Sequence, residues 1–271
     1  MKKYNIFTNQ KDSLPEGKAD LLLLSDNTLN STLDGEFLLH EKLLSLDSVD
    51  EMLTQKLIPA IITKATHNLN PFSSIEFMKL EMNETFDAKK LFREGMTFGK
   101  EYELKGNYLI LSQGLEVDNA NESVSALLSK TDEENSFDIL SKSSDEALLF
   151  CAGFLLEASR RFHVVLDGGL RMASSLLIAD KLREDVLMRL KQDNVTLCTN
   201  ETNLDEIFSN LSYTPNVIRP EFTLTESEIP MLQEHKLSDK TAQSTALLYA
   251  KQNGCNAEEI LNEIEILIYS I

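Results

Sequence analysis

The segment "RRFHVVLDGGLRMASSLLIADKL", residues 160–182, decides the fold prediction. A short run of β-branched residues leads into an Asp-Gly-Gly turn, and an alanine- and leucine-rich stretch of helical length follows. Strand, tight turn and helix in that order form the repeating unit of a parallel α/β sheet. The chain has only ten glycines, so the adjacent Gly168 and Gly169 indicate a backbone that needs positive φ or a close approach by another group.

The same alternation of strand and helix continues along the chain. Further runs of strand length lie at 19–25, 75–80, 107–113 and 195–199, with helical patterns between them. This alternation predicts a three-layer, Rossmann-like α/β fold with a mainly parallel sheet and helices on both faces. We expect one domain over residues 1–271. A small helical lobe is expected from the terminal segments at about 36–57 and 242–271.

Individual residues predict where several helices begin and end. Pro59 is expected near the start of a helix, and Gly95 at the end of a helix over 86–95. Asn256 and Glu259 have the spacing of a capping box for a C-terminal amphipathic helix. A further amphipathic helix is predicted after residue 145, with Leu148, Cys151, Leu155 and Ala158 on its buried face.

Composition excludes several classes of function. A net charge of −18 repels phosphate backbones, so we expect no nucleic-acid partner. The apolar runs are too short to cross a bilayer, and "MKKYNIFTNQ" lacks the apolar core of a secretory leader, which favours a cytoplasmic protein. Three cysteines without a CxxC pair and four scattered histidines predict neither a disulfide framework nor a metal site. No cofactor is expected.

The Asp-Gly-Gly turn is the strongest candidate site. Ligands of open α/β sheets bind beyond the carboxyl ends of the strands, where this turn is predicted to lie. The following helix would offer unpaired N–H groups to a phosphate or carboxylate, and Arg171 would add positive charge. In the alternative interpretation, the glycines only make a tight turn and Asp167 caps the helix.

The chain also resembles a known family over nearly its whole length. The segment "FCAGFLLEASRRFHVVLDGGLRMASSLLIA" is similar to the strand, turn and helix of the nicotinate-nucleotide–dimethylbenzimidazole phosphoribosyltransferases. Its "GGLRM" stands where the archaeal-type branch has "GGTQM". Four further segments are similar in the same order, namely "LLLLSDNTLNSTLDG", "IPAIITKATHNL", "LFREGMTFGKEYELKGNYLILSQ" and "EFTLTESEIPMLQEHKLSDKTAQSTALLYA".

The resemblance implies an activity and a set of site residues. The family transfers phosphoribose from nicotinate mononucleotide to a benzimidazole-type base, giving the α-ribazole phosphate of the cobalamin lower ligand. It also implies a homodimer with small-molecule partners. The general base corresponds to Asp239. Implied or candidate substrate contacts are Asp167, Gly168, Gly169, Arg171, Gln113, Gly114, Asn27, Thr28 and Lys64.

Two segments depart from the family pattern. The family's glycine-rich loop corresponds to "SQGLEVDNANES", where Glu116, Val117 and Asp118 replace most of its glycines. Its "KEGVGAGG" segment corresponds to "SDKTAQST", where the base is one methylene shorter. Added side chains and negative charge oppose phosphate binding. A second hypothesis therefore stands beside the enzyme: a homologue without turnover that binds a nucleotide, another small molecule or a partner protein.

Overall fold

A computed structural model describes residues 13–25, 51–79, 87–113, 120–131, 134–144, 146–220 and 242–269. In these residues six strands form one sheet, in the order β2-β1-β3-β4-β5-β6. All neighbouring strands are parallel, which confirms the predicted sheet type. The strands are β1 (Ala19–Ser25), β2 (Ser74–Lys79), β3 (Tyr108–Gln113), β4 (His163–Asp167), β5 (Val195–Cys198) and β6 (Asn216–Ile218).

Nine α-helices accompany these strands within the described ranges. They are α1 (Glu51–Leu69), α2 (Ala88–Glu101), α3 (Ala120–Leu128), α4 (Ser136–Ser143), α5 (Glu146–Ala158), α6 (Gly169–Leu182), α7 (Asp205–Asn210), α8 (Gln243–Gln252) and α9 (Ala257–Tyr269). Each connection between successive strands that the structure describes contains at least one helix. This is the arrangement that parallel strands require.

Alternating strand residues separate the core into two faces. Leu22, Leu109 and Val164 point to the face that α2 to α7 cover. Their neighbours, including Leu21 and Val165, point to the other face and pack against α8. Both faces are buried, which explains why β1 and β3 are almost unbroken apolar runs. The predicted helices on both faces are confirmed.

Helix α8 is the central helix of the second face. Residues 243–250 are all buried, because the sheet lies on one side of α8 and helices α1 and α9 pack on the other. Its Leu247 shares an apolar cluster with Ile62 of α1 and Ile260 of α9. The terminal lobe is predicted from residues 36–57 and 242–271, which contain α8, α9 and only the first residues of α1. That subdivision stays a prediction, since residues 26–50 lie outside the described ranges.

The capping box of the last helix is confirmed. The N–H of Glu259 donates to Oδ1 of Asn256 at 3.0 Å, and the N–H of Asn256 donates to Oε2 of Glu259 at 2.9 Å. The predicted apolar stripe is also confirmed, with Ile260, Leu261 and Ile264 buried. Local side-chain chemistry therefore determines where α9 begins.

Two predicted helix boundaries were wrong for reasons of tertiary packing, and a third helix is buried more completely than predicted. Pro59 lies inside α1, whose buried Ile58 and Ile62 hold the helix on both sides of it. Gly95 lies inside α2 rather than at its end. It is a glycine because α5 packs closely against it, and a Cβ there would be 2.1 Å from the carbonyl oxygen of Phe150. The helix predicted after residue 145 is confirmed as α5, and its four predicted core residues are buried. It is buried almost all round rather than on one stripe, because it packs between other elements of the core.

Candidate functional site

The candidate site is built at the carboxyl ends of the central strands. Strand β4 ends at Asp167, which is in register with Ser112 of β3 and Cys198 of β5. Residues in register on parallel strands point their side chains to the same face of the sheet. Ser112 and Asp167 therefore both face helix α8, and both are fully buried.

The Asp167 carboxylate binds the first turn of α8. Its Oδ2 accepts a hydrogen bond from the backbone N–H of Thr245 at 3.1 Å and a second from the Thr245 hydroxyl. Ser112 Oγ accepts the N–H of Ala242, the residue before α8, at 3.0 Å. First-turn amides have no acceptor within their own helix, and the positive end of the helix dipole stabilises a carboxylate. Asp167 thus caps α8, the helix on the other side of the sheet from α6.

The two glycines adopt the backbone conformations predicted for them. Gly168 has φ of 152° and Gly169 has φ of 54°, so both lie in the region that favours glycine. Gly168 is the N-cap residue of α6 and has no side chain with which to cap it. The first N–H groups of α6 consequently point beyond the carboxyl end of β4 without an acceptor in their own helix.

Arg171 and the loop after β5 complete this edge. Arg171 is half-buried in the first turn of α6. Beyond β5, Asn200 Nδ2 donates to Ser244 Oγ at 3.0 Å, and the Arg219 guanidinium donates to the carbonyl oxygen of Glu201 at 2.6 Å. These strand ends therefore combine the start of α6 with two arginines, which suits an anionic ligand.

The structure brings together only part of the predicted site. Asp167, Gly168, Gly169 and Arg171 lie at one turn, and Gln113 ends the adjacent strand β3. Lys64 is exposed in the middle of α1 and makes no hydrogen bond or ion pair within the described ranges. The remaining predicted contacts lie outside those ranges, namely Asn27, Thr28, Gly114 and Asp239.

Sequence reasoning missed three residues whose hydrogen bonds hold the start of α8 at the carboxyl ends of the strands. Ser112, Thr245 and Asn200 make the hydrogen bonds that fix the start of α8. A signal was present for two of them, because Ser112 and Asn200 are polar residues at the ends of buried apolar strands. Thr245 carried no signal, since its contact with Asp167 joins residues 78 positions apart in the chain.

The titratable groups with shifted pKa values lie elsewhere. His163 begins β4 and so lies at the amino ends of the strands, opposite the glycine turn. Its Nε2 is 2.8 Å from Thr196 Oγ1, and burial lowers its pKa. Burial and the nearby Lys64 ammonium lower the pKa of His67 in α1. Neither imidazole belongs to the glycine turn, since His163 lies at the other end of β4 and His67 lies in the last turn of α1.

Metal and membrane sites receive no support from the described residues. No group of three or more His, Cys, Asp or Glu side chains in them is arranged to hold a metal ion. No helix among them is long and apolar enough to cross a bilayer. The surface depression of about 580 Å³ beside Phe208, Tyr213 and Val217 lies next to the edge strand β6, apart from the glycine turn.

Comparison with known proteins gives structural likenesses only. No protein-family model and no curated protein matches the sequence. The chain is similar to the nicotinate-nucleotide-dimethylbenzimidazole phosphoribosyltransferase of Thermus thermophilus, with 11% identity and a TM-score of 0.46 over 92% of this chain and 82% of that one. A structure of CobT from the same organism has 11% identity and a TM-score of 0.47, over 92% and 83% of the two chains.

Proposed function

We propose that the chain binds nicotinate mononucleotide at the Asp-Gly-Gly turn and transfers its phosphoribose to a benzimidazole-type base, forming α-ribazole phosphate. One observation carries the binding step. Gly168 and Gly169 both have positive φ at the start of the 14-residue helix α6, directly after a central strand. Such a turn lets a phosphate approach the backbone amides at the positive end of the helix dipole.

The charge at this turn is compatible with an anion. A carboxylate about 6 Å from a phosphate would oppose binding by about 3 kcal/mol per unit charge at an effective dielectric constant of about 20. Here the Asp167 carboxylate points to α8, where the N–H and hydroxyl of Thr245 bind it. The half-buried Arg171 adds a positive group to the first turn of α6. Asp167 shapes the turn, while the glycine amides and Arg171 bind the phosphate.

The transfer requires chemistry at the C1′ carbon of the ribose. The bond from C1′ to the nicotinate nitrogen breaks as positive charge grows on the sugar, and a ring nitrogen of the incoming base forms the new bond to C1′. The incoming base must then lose the proton of its other ring nitrogen, and we assign Asp239 as the acceptor. Gln113, Gly114, Asn27, Thr28 and Lys64 are proposed as further substrate contacts.

Product formation tests this proposal. Nicotinate mononucleotide and 5,6-dimethylbenzimidazole are incubated with the protein, and α-ribazole phosphate and free nicotinate are measured by mass spectrometry. Asp239→Asn should lower the rate by about 10²–10⁴-fold, the usual contribution of a general base. The control is Asp193→Asn, which changes an exposed acid just before the amino end of β5, away from the glycine turn, and should retain the wild-type rate.

The same experiment decides between the two hypotheses. Product that depends on Asp239 supports the transferase. Absence of product at high protein concentration, with nicotinate mononucleotide still bound, contradicts transfer and leaves the nucleotide-binding homologue. Absence of both product and binding contradicts the proposed site.

We further propose that the protein acts as a cytoplasmic homodimer. Helix α9 ends in an apolar turn in which Ile266 is 57% and Tyr269 is 77% exposed, a surface suited to contact with a second copy. Sedimentation equilibrium should show a dimer that Ile266→Glu converts to a monomer. A wild-type monomer would contradict this assembly.

A further inference from the structure

We propose that Thr245 is a positioning residue of the anion site. Its two hydrogen bonds hold the Asp167 carboxylate on the α8 side of the sheet and so keep it away from the amides at the start of α6. The inference rests on the proposed binding of a phosphate at those amides. It assigns Asp167 an indirect part in binding, through the direction in which its charge points.

The geometry of the contact supports this assignment. Thr245 is the third residue of α8, so its N–H is one of the amides that lack an acceptor within the helix. Both the N–H and the hydroxyl donate to one carboxylate oxygen, and both residues have 0% exposure. The bond from Ala242 to Ser112 fixes the start of α8 on the neighbouring strand. Thr245 is therefore held where its hydroxyl can orient the acid.

The start of α6 is the other set of helix-start amides next to this carboxylate in the chain. Asp167 immediately precedes Gly168, the N-cap of α6, and the positive end of a helix dipole attracts a carboxylate that the Thr245 bonds no longer hold. In that position the carboxylate would occupy the place of the phosphate and repel it. The starts of α6 and α8 thus compete for one carboxylate. The Thr245 hydroxyl favours α8 and leaves α6 for the ligand.

The test separates the contribution of the ligand's phosphate from every other contribution. Dissociation constants of nicotinate mononucleotide and nicotinate riboside, which differ by the phosphate alone, are measured calorimetrically for the wild type, Thr245→Val and Thr245→Ser. Thr245→Val should weaken mononucleotide binding by about tenfold, as for one hydrogen bond to a charged group, and leave riboside binding unchanged. Thr245→Ser keeps the hydroxyl and should restore the phosphate preference.

Asp167→Asn supplies an independent measurement. The amide oxygen can still accept a hydrogen bond from Thr245, but no negative charge remains to compete with phosphate. This variant should bind the mononucleotide at least as tightly as the wild type, and Thr245→Val should have no further effect in its background. Should Thr245→Val fail to fold by circular dichroism, Thr245→Ala takes its place with the same expected loss of phosphate preference, and lost affinity in Asp167→Asn overturns the inference in either case.

The outcomes also separate this inference from the proposed function. A wild type without phosphate preference contradicts the anion site and with it the role of Thr245. If the wild type prefers the mononucleotide to the riboside and folded Thr245→Val keeps that preference, only the role of Thr245 is overturned. Equal weakening of both ligands, or a Thr245→Val effect that persists in the Asp167→Asn background, likewise overturns the positioning role.

Discussion

We predict that Gly153→Ala destabilises the protein, because helices α2 and α5 touch through their backbones at this residue. A Cβ on Gly153 would lie 1.9 Å from the carbonyl oxygen of Phe92 and 2.8 Å from its carbonyl carbon. Non-bonded carbon atoms pack at about 3.5–4.0 Å. Since both neighbours are backbone atoms, no side-chain rotation relieves the overlap. One helix must move away from the other by more than ~1 Å.

The expected loss of stability follows from two opposing terms. Overpacking a dense core costs about 1–3 kcal/mol, and moving α2 also weakens the contacts of Phe92 and Phe98 with α5 and its neighbours. Alanine returns about 1 kcal/mol through its better helix propensity. Because the overlap is with backbone on a face buried at both helices, overpacking should cost the upper end of this range, about 3 kcal/mol, which leaves a net cost of about 2 kcal/mol.

Urea unfolding measures this cost through the transition midpoint at constant m value. Gly95→Ala and Gly99→Ala test the same contact, with closest approaches of 2.1 Å and 2.6 Å to carbonyl oxygens of α5, so Gly99→Ala should be the mildest of the three. Gly254→Ala is the control. That glycine has φ of 94° with nothing within 4 Å of the added Cβ, and its cost is backbone strain of about 1–2 kcal/mol. A Gly153→Ala protein as stable as the wild type would refute the reasoning.

Three further predictions concern pH and local stability. Burial lowers the pKa of His163 from 6.5, so the unfolded state binds the proton more readily and stability should fall as the pH drops below about 6.5. The midpoint of thermal unfolding of His163→Gln should therefore depend less on pH than that of the wild type, and an unchanged pH profile would contradict this. Asn256→Ala removes the cap of α9 and should cost about 1 kcal/mol in urea unfolding; no loss would mean that packing alone fixes the helix start. Lys105→Ala breaks an exposed 3.1 Å ion pair with Glu76 and should change stability by less than about 1 kcal/mol; a larger loss would indicate a structural role for the pair.

The sheet was predictable because its physical signal is local. Strands buried on both faces carry continuous apolar runs, so the boundaries of β1 and β3 follow from the sequence within a residue. The capping box of α9 is local for the same reason. The misplaced helix boundaries depended on distant contacts. Gly95 has the sequence signature of a helix end, and only the approach of α5 shows that it is an interior packing residue.

The candidate site divides in the same way. The positive φ values of Gly168 and Gly169 follow from an Asp-Gly-Gly turn after a buried strand, and the structure confirms them. The partner of Asp167 could not be predicted, because Thr245 reaches it only when α8 packs across the sheet. Asp239 and the other predicted contacts outside the described ranges stay predictions.

Calorimetric binding of nicotinate mononucleotide to Gly168→Ala and Gly254→Ala tests the central claim most directly. Both substitutions place a Cβ on a glycine of positive φ, but only Gly168 belongs to the proposed site. The account predicts that Gly254→Ala binds like the wild type while folded Gly168→Ala binds at least about tenfold more weakly, with Arg171→Gln weakened similarly. Wild-type affinity in both Gly168→Ala and Arg171→Gln would contradict phosphate binding at this turn.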